Sequence, residues 1–249
     1  ALRAALKGKK LSILGDSIST YVDYCNNTSY NSTIGGNCVF YSPNRSDRPD
    51  LKDIAVTDTY WMQLIDEYDM ELCVNNSSSG SRVIGMGNVS GSTRDQAYDM
   101  RACQLHNDIF IGFNDHGAAA PQGRITTGSY EAVNFDTLIT VQDGKYVYAT
   151  PTTVAEGYAV MLHKIKTTYP NAKLLMMNIP HVAWQDKVAE RGVELPKYNE
   201  LIAKMAAHYG VTLVDLYSTE ISGDSTSNRA VYALGDEIHP NCAGHDVMT

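Results

Sequence analysis

The stretch Leu11-Ser12-Ile13-Leu14-Gly15-Asp16-Ser17 decides the fold. Its first four residues form a short, mostly apolar run that is typical of a buried β-strand, and Gly15 lets the chain turn sharply after it. Ser17 is then predicted to lie in the turn at the carboxyl end of that strand, with a helix beginning over residues 18–21. Open parallel α/β sheets bind their ligands at this edge. The stretch therefore predicts an α/β fold with a functional serine after the first strand.

Polar, glycine-containing turns follow two further apolar runs. Residues 71–74 lead into the turn 75–80, and residues 108–111 lead into the turn 112–115. Because the carboxyl ends of parallel strands meet at one edge of a sheet, each turn is expected to bring a glycine and a hydrogen-bonding side chain close to Ser17. The sequence thus predicts a polar site built from three strand ends.

The far end of the chain supplies a histidine, in Asp236-Glu237-Ile238-His239-Pro240. A serine hydroxyl is a poor nucleophile until a base takes its proton. Two residues separate Asp236 from His239, which lets the carboxylate bind imidazole Nδ1–H and leaves Nε2 free to accept the proton of Ser17. A surface-loop histidine also fits the position before a proline, and the spacing to Asp236 favours the catalytic interpretation.

Taken together, four short blocks resemble, in order, the sequence blocks of the SGNH (GDSL-type) hydrolases. They are Gly15-Asp16-Ser17, Gly80, Gly112-Phe113-Asn114-Asp115 and Asp236-x-x-His239-Pro240. Each block alone is weakly specific, and the joint occurrence over nearly the whole chain carries the resemblance. It implies a three-layer α/β/α domain with a flavodoxin-like parallel sheet, which hydrolyses esters through an acyl-enzyme on serine.

The resemblance also implies a role for each matching residue. Ser17 corresponds to the nucleophile, His239 to the base, and Asp236 to the carboxylate that orients the base. The backbone N–H groups of Ser17 and Gly80, with the side-chain amide of Asn114, correspond to the oxyanion hole. No metal and no cofactor is implied.

Structural interpretations of the same residues remain open at this point. Ser17 or Asp16 can cap a helix, Gly80 can serve only a turn, and Asn114 can bond its own backbone. A second copy of the tripeptide, Gly223-Asp224-Ser225, follows no apolar strand and is predicted to be a surface loop.

Three further residues are candidates for the wall of the pocket. Asp16 adjoins the serine, His116 follows the turn that carries Asn114, and His181 follows a predicted strand. Ordinary loop positions are the alternative for both histidines.

The remaining chain alternates between helix and strand patterns, as a doubly wound sheet requires. Residues 59–68, 155–169 and 198–209 have the apolar periodicity of helices. Residues 173–178 and 211–216 are predicted strands. We expect one domain over residues 1–249.

Two insertions interrupt this alternation. Residues 22–58 are polar and too long for an ordinary connection, which predicts a substrate-facing flap or a partly disordered segment. Residues 135–148 alternate apolar and polar side chains around Asp143-Gly144, a strong hairpin signal inside an insertion of about 129–150. Because the hairpin follows the turn with Asn114, we hypothesise that it forms a lid or one wall of the pocket.

Composition excludes several classes of function. The net charge of −8 argues against nucleic acid and anionic membranes as partners, and no apolar stretch is long enough to cross a bilayer. Ser19 replaces the last glycine of Gly-x-Ser-x-Gly, which argues against a conventional α/β-hydrolase elbow. Residues 85–91 miss the dinucleotide-binding glycine pattern by one residue. The oligomeric state is left open.

The five cysteines and the chain ends leave the compartment open. Their spacing matches no metal site, and Cys25 and Cys38 share one polar segment in which they can pair if the protein is exported. The start at Ala1 has neither an initiating Met nor an apolar signal core, so we expect a segment or leader upstream. The end at Thr249 resembles a final helix cut short. Export with removal of a leader and a cytoplasmic location both fit.

The substrate is predicted only as a class. We favour a short acyl group, such as acetyl, on a polar or carbohydrate carrier, because the sequence has neither a long apolar lid helix nor a lipid-binding stripe. The alternatives are a lipase or lysophospholipase acting on longer acyl esters, and a non-catalytic binding domain of the same fold.

Overall fold

A five-stranded parallel sheet forms the centre of the molecule. The computed structural model describes residues 2–25, 39–84, 97–105, 109–111, 126–181, 194–223 and 230–249. Within these residues the strands of the sheet are β1 (Lys10–Leu14), β2 (Glu71–Asn75), β3 (Ile109–Ile111), β6 (Leu174–Met177) and β7 (Thr212–Val214). Their order is β2-β1-β3-β6-β7, and every neighbouring pair is parallel. This order is that of a flavodoxin-like sheet, as predicted.

Helices cover both faces of the sheet. The described helices are α1 (Leu2–Leu6), α2 (Tyr60–Tyr68), α3 (Tyr98–Arg101), α4 (Phe135–Leu138), α5 (Val154–Thr168), α6 (Leu195–Tyr209) and α7 (Cys242–Met248). One apolar cluster joins the sheet to α5 and α6, and a second joins it to α2 and α7. Successive side chains of β1 alternate between the two, since Ile13 packs in the second cluster and Leu14 in the first. The result is the predicted three-layer α/β/α arrangement.

Local sequence signals explain where the long helices begin and end. Thr153 accepts a hydrogen bond from the Glu156 N–H, and the Glu156 side chain binds the Thr153 N–H in return, so a capping box starts α5. Pro196 lies in the first turn of α6, and Gly210 ends that helix in the left-handed region at φ 61°. The helices predicted over residues 59–68, 155–169 and 198–209 and the predicted strands are present, with ends that differ by a few residues.

The turn after β1 differs from its prediction. Residues Ser17–Ser19 form a single 3₁₀ turn, and Thr20 is already extended, so no α-helix begins at this point. The Asp16 carboxylate accepts a hydrogen bond from Ile18 N at 2.8 Å, and Thr20 Oγ1 donates to the Ser17 carbonyl at 2.8 Å. Asp16 caps an N–H of the first turn, and Thr20 bonds the Ser17 carbonyl that a continuing α-helix would have paired, so the chain leaves the sheet after one turn.

The hairpin is present, but it does not lie at the predicted site. Strands β4 (Ile139–Gln142) and β5 (Lys145–Tyr148) pair antiparallel around Asp143 and Gly144, which both have positive φ angles, as a tight hairpin turn requires. Residues Phe135–Leu138, which were expected to belong to the first strand, form the short helix α4.

Contacts of the hairpin with α5 show which edge of the sheet it occupies. Tyr148 Oη bonds His163 Nδ1 at 3.0 Å, and the Tyr146 ring contacts the same imidazole. His163 belongs to the second half of α5, whereas Gly157, in its first turn, lies against Ile84 beyond the carboxyl end of β2. A crossover helix runs antiparallel to the strands it connects. The hairpin therefore lies toward the opposite edge from Ser17, and the lid hypothesis is wrong.

No helix in the described ranges is both long enough and apolar enough to span a bilayer.

Candidate active site

Ser17, His239 and Asp236 meet at the carboxyl edge of the sheet. Ser17 Oγ lies 2.8 Å from His239 Nε2, although 222 residues separate the two in sequence. His239 Nδ1 lies 2.8 Å from Asp236 Oδ2. The sheet topology explains why these residues meet here. The strand β1 lies between β2 and β3, and at this point the connections leave the sheet in opposite directions, which opens a crevice at the carboxyl ends of the strands.

The loop that carries the histidine is shaped by the aspartate. Asp236 Oδ1 accepts hydrogen bonds from the N–H groups of Ile238 and His239, both at 3.0 Å, while Oδ2 binds the imidazole. Glu237 has φ 58°, and this left-handed residue turns the chain back on the carboxylate. The two-residue spacing thus lets one carboxylate fix both the loop and the ring.

The charges in this chain of hydrogen bonds are set by burial and by the neighbours. Burial raises the pKa of Asp236, but the hydrogen bond and charge of His239 outweigh this effect and hold that pKa well below its usual range. Because an ionised carboxylate can only accept, Nδ1 carries the proton and Nε2 accepts from the Ser17 hydroxyl.

His239 is a neutral base at neutral pH. Burial lowers the pKa of His239 and outweighs the opposing effect of Asp236, while Arg48 and Arg45 lower that pKa further. An ionised carboxylate, a neutral imidazole and a hydroxyl in this order can activate the hydroxyl for attack on a carbonyl.

The turn after β2 lies against the turn that carries Ser17. Ser78 N donates to the Gly15 carbonyl at 3.1 Å, and Ser81 Oγ donates to the same oxygen at 3.2 Å. Gly80, between them, has φ 74°, a conformation that favours glycine. The structure thus brings the second predicted block beside the first, while the oxyanion role of the Ser17 and Gly80 N–H groups stays a prediction.

Arg101 ties these two turns together from inside the protein. Its guanidinium donates to the Gly15 carbonyl at 3.1 Å, to Ser81 Oγ at 2.8 Å and to the Asn76 carbonyl. The side chain is fully buried. The sequence did not single out this residue, and the only available signal was a cation in the short helix α3.

Asp16 is buried behind the serine. Besides capping the 3₁₀ turn, its carboxylate accepts a hydrogen bond from Tyr98 Oη at 3.2 Å. Burial raises the pKa of Asp16 to about 7, against the effects of the Ile18 N–H, Tyr98 and Arg101. These contacts favour the capping interpretation over a role in the wall of the pocket.

Of the remaining candidates, His181 contacts the segment after β7, and the others lie outside the described residues. His181 follows β6, where its N–H donates to Ser222 Oγ at 2.7 Å and its Nδ1 lies 2.8 Å from the Gly223 carbonyl. Its role in the pocket stays a prediction. Asn114, His116 and Cys38 lie outside the described residues, whereas Cys25 is a buried, free thiol.

The second half of the long insertion also reaches the site. The Phe40 ring stacks on the His239 imidazole, with 3.5 Å between the ring centroids and 10° between the planes. Arg48 Nη1 forms an ion pair with Asp236 Oδ2 at 2.9 Å. Phe40 and Arg48 thus lie against His239 and Asp236, the substrate-facing flap stays a prediction, and residues 26–38 lie outside the described part. The individual contacts were not predicted, because nothing in a polar segment marks which side chains will turn inward.

Comparison with known proteins gives one family and a set of similar structures. Residues 9–238 match the family model described as GDSL-like lipase/acylhydrolase. No curated protein matches the chain.

Several solved structures are similar to this chain over nearly its whole length. One from Bacteroides uniformis, described as a GDSL-like lipase, has a TM-score of 0.66 and 22% identity, with 97% of this chain and 92% of that chain covered. An inhibitor-bound aryl esterase of M. smegmatis has a TM-score of 0.55 and 14% identity, with 97% and 94% covered. A carbohydrate acetylesterase from Sinorhizobium meliloti has a TM-score of 0.53 and 14% identity, with 96% and 94% covered. At these identities the likeness shows the fold alone.

Proposed function

We propose that this chain, which belongs to the GDSL-like lipase/acylhydrolase family, is a serine esterase that removes short acyl groups from a polar or carbohydrate carrier. Its class as an ester hydrolase follows from the family. The observation that carries the proposed mechanism is the continuous hydrogen-bonded chain from Ser17 Oγ through His239 to Asp236.

In this mechanism His239 Nε2 takes the proton of Ser17 as Oγ attacks the acyl carbonyl carbon. The imidazolium that forms is stabilised by Asp236, which stays ionised. The N–H groups of Ser17 and Gly80 and the amide of Asn114 are proposed to bind the oxyanion. His239 then donates the proton to the leaving alcohol, the acyl group stays on Ser17, and water activated by the same imidazole releases it.

The preference for short acyl groups on a polar carrier has two supports. The sequence has no long apolar lid helix, and the hairpin that was expected to cover the pocket lies toward the opposite edge of the sheet. Among the similar structures, one is titled a carbohydrate acetylesterase and another an aryl esterase. A lipase or lysophospholipase activity on longer esters is the second candidate, and the family description itself favours it.

The first experiment compares hydrolysis of p-nitrophenyl acetate by the wild type, Ser17→Ala and Ser225→Ala. The last variant is a matched control, because Ser225 ends the second copy of Gly-Asp-Ser. We expect Ser17→Ala to lose at least about a thousandfold in kcat and Ser225→Ala to keep wild-type activity. Equal activity of Ser17→Ala and the wild type would overturn the mechanism.

A chain-length series of p-nitrophenyl esters then separates the two candidate substrates. Highest kcat/KM for acetyl and a decline toward longer acyl groups supports the first proposal. A maximum at medium or long acyl groups supports the lipase alternative.

A further inference from the structure

Two adjacent residues of the long insertion contact both halves of the proposed catalytic pair. The Phe40 N–H donates to Thr20 Oγ1 at 2.8 Å, and that hydroxyl in turn donates to the Ser17 carbonyl at 2.8 Å. Tyr41 Oη donates to the Pro240 carbonyl at 2.8 Å, directly after His239. The insertion thus bridges the turn with the serine and the loop with the histidine.

The side chain of Phe40 fixes the plane of the imidazole. With a centroid separation of 3.5 Å and nearly parallel planes, it covers one face of His239. An imidazole rotates most easily about its Cβ–Cγ bond, which would swing Nε2 away from Ser17, and a ring packed on its face opposes that rotation. The contact thereby keeps Nε2 aimed at Ser17.

Arg48 holds the other end of the same chain of hydrogen bonds. Its Nη1 lies 2.9 Å from Asp236 Oδ2, the oxygen that also binds His239 Nδ1. Its Nε and Nη2 donate to the two oxygens of Asp50 at 2.9 and 2.7 Å. The guanidinium carbon also lies 4.7 Å from the centre of the Phe40 ring. A planar guanidinium suits this use, because its donors point in fixed directions.

We propose that Phe40 and Arg48 are positioning residues for His239 and Asp236, so that the insertion contributes to catalysis as well as contacting the site. This inference rests on the proposed function. In it Phe40 orients the imidazole and Arg48 orients the carboxylate, and neither touches the reacting atoms.

The charge of Arg48 has a consequence for the pH dependence. A cation beside Asp236 disfavours a second positive charge on His239, and the pKa of His239 is lowered by burial and then by Arg48 and Arg45. Activity requires neutral His239, so it is lost as the pH falls through that pKa, and Arg48 extends activity to lower pH. Among the described residues, the charged and titratable groups around the imidazole are Asp236 on its own loop, Arg45, Arg48 and Asp50 in the insertion, Tyr41, and His245 of α7.

The test measures kcat/KM for p-nitrophenyl acetate from pH 4.5 to 8.5 in the wild type, Arg48→Gln, Arg48→Lys and Arg45→Gln. We expect Arg48→Gln to move the acid limb upward by about half a unit and Arg48→Lys to restore most of that shift. Arg45 pairs with Asp47 instead of Asp236, so Arg45→Gln should move the limb less. Coincident acid limbs for Arg48→Gln and the wild type would overturn the role of Arg48.

Phe40 is tested with a matched pair of variants. Phe40→Leu should lower kcat about tenfold or more while KM changes little, because the misaligned imidazole slows chemistry and leaves substrate binding intact. Phe40→Tyr keeps the stacked ring and should restore kcat. Equal kcat in the leucine and tyrosine variants, at comparable thermal midpoints, would overturn the role of the ring. If Arg48→Gln fails to fold, this pair of variants still tests the Phe40 half of the proposal.

A readout without turnover separates failure of this inference from failure of the proposed function. The His239 imidazole is titrated by NMR in Ser17→Ala, alone and combined with Arg48→Gln. An upward shift in the double variant supports the role of Arg48 even if no ester is hydrolysed, and the proposed function alone then fails. An unmoved titration overturns the role of Arg48 even if the wild type is an active esterase.

Discussion

Ser17 and His239 are 2.8 Å apart, yet they are held in place by different means. Ser17 follows a strand with parallel neighbours on both sides, and the Gly15 carbonyl of its turn accepts a hydrogen bond from the buried guanidinium of Arg101. His239 lies in a loop near the end of the chain, where one isolated bridge, Ala233 to Pro240, is the β-pairing recorded for it. Asp236 bonds the backbone of this loop, and side chains of the insertion contact the loop from outside.

The two halves of the site are therefore held in place by different parts of the protein. The serine turn is positioned by the sheet, which any chain of this fold must build. The histidine loop is positioned by Phe40, Tyr41 and Arg48, which come from a segment that the sheet does not require. Substitutions of Phe40 and Arg48 are therefore expected to alter catalysis, whereas changes under the serine turn should mainly cost stability.

Asp236→Asn tests the histidine half and should have the largest effect among the variants considered next. An amide cannot stabilise the imidazolium by charge, and its NH₂ group would face either Arg48 or His239. We expect kcat to fall by roughly two to four orders of magnitude, with residual activity above that of Ser17→Ala. Asp69→Asn, at an exposed carboxylate paired with Arg3, is the matched control and should keep full activity. Activity of Asp236→Asn near the wild-type level would show that the histidine is oriented without the carboxylate.

Arg101→Leu tests the serine half. Removing the guanidinium leaves the carbonyls of Gly15 and Asn76 buried without this donor, so we expect the free energy of unfolding to fall by about 3–5 kcal/mol. Urea unfolding followed by tryptophan fluorescence measures it. Arg3→Gln breaks an exposed ion pair that solvent screens and should leave stability nearly unchanged. If the two variants were equally stable, the serine turn would not depend on its buried support.

Asp16→Asn also tests the serine half of the site, through the pH dependence of stability. Because the folded pKa of Asp16 is raised to about 7, the carboxyl is protonated in the folded state and ionised in the unfolded state between about pH 4 and 7. Wild-type stability is thus lowered progressively as the pH rises through this window, and Asn removes that loss. The stability of Asp16→Asn relative to wild type should rise by up to about 1.4 kcal/mol per pH unit.

Urea unfolding at several pH values from 4 to 8 checks this difference. His245 acts in the opposite sense, since burial lowers its pKa to about 3 and its contribution to stability is lost as the pH falls below about 6.5. It is present in both proteins, so it cancels in the comparison. Asp69→Asn serves again as the control, because the pKa of Asp69 is lowered by its bonds to Arg3 and its window lies below pH 4. Parallel stability curves for Asp16→Asn and the wild type would contradict the buried, protonated carboxyl.

Substitutions in the hairpin should have the smallest effect. Val141 and Val147 are exposed, and the hairpin packs against the half of α5 that is far from the serine. Val141→Thr and Val147→Thr should leave kcat/KM within about twofold and stability within about 0.5 kcal/mol of wild type. A tenfold loss of kcat/KM at unchanged stability would place the hairpin at the site after all.

The sequence by itself determined the layers of the fold and predicted that Ser17, His239 and Asp236 meet at one edge of the sheet. Apolar runs followed by glycine turns predicted the parallel strands. A strand that is buried on both faces is a continuous apolar run in the sequence, and this run is recognisable without knowing which strands lie beside it. The pair Asp236 and His239 was equally readable, since both residues lie in one short loop.

Only the tertiary structure decided what surrounds that pair and where the hairpin packs. Phe40 and Arg48 contact a loop about 190 residues away in sequence, and a polar segment carries no periodicity that marks such contacts. The turn residues Asp143 and Gly144 predicted a hairpin correctly. Turn chemistry is local, however, and does not specify where on the protein the hairpin packs. The positions of the hairpin and the insertion depend on which surfaces of the domain stay uncovered by helices. Those surfaces exist only after the layers have packed.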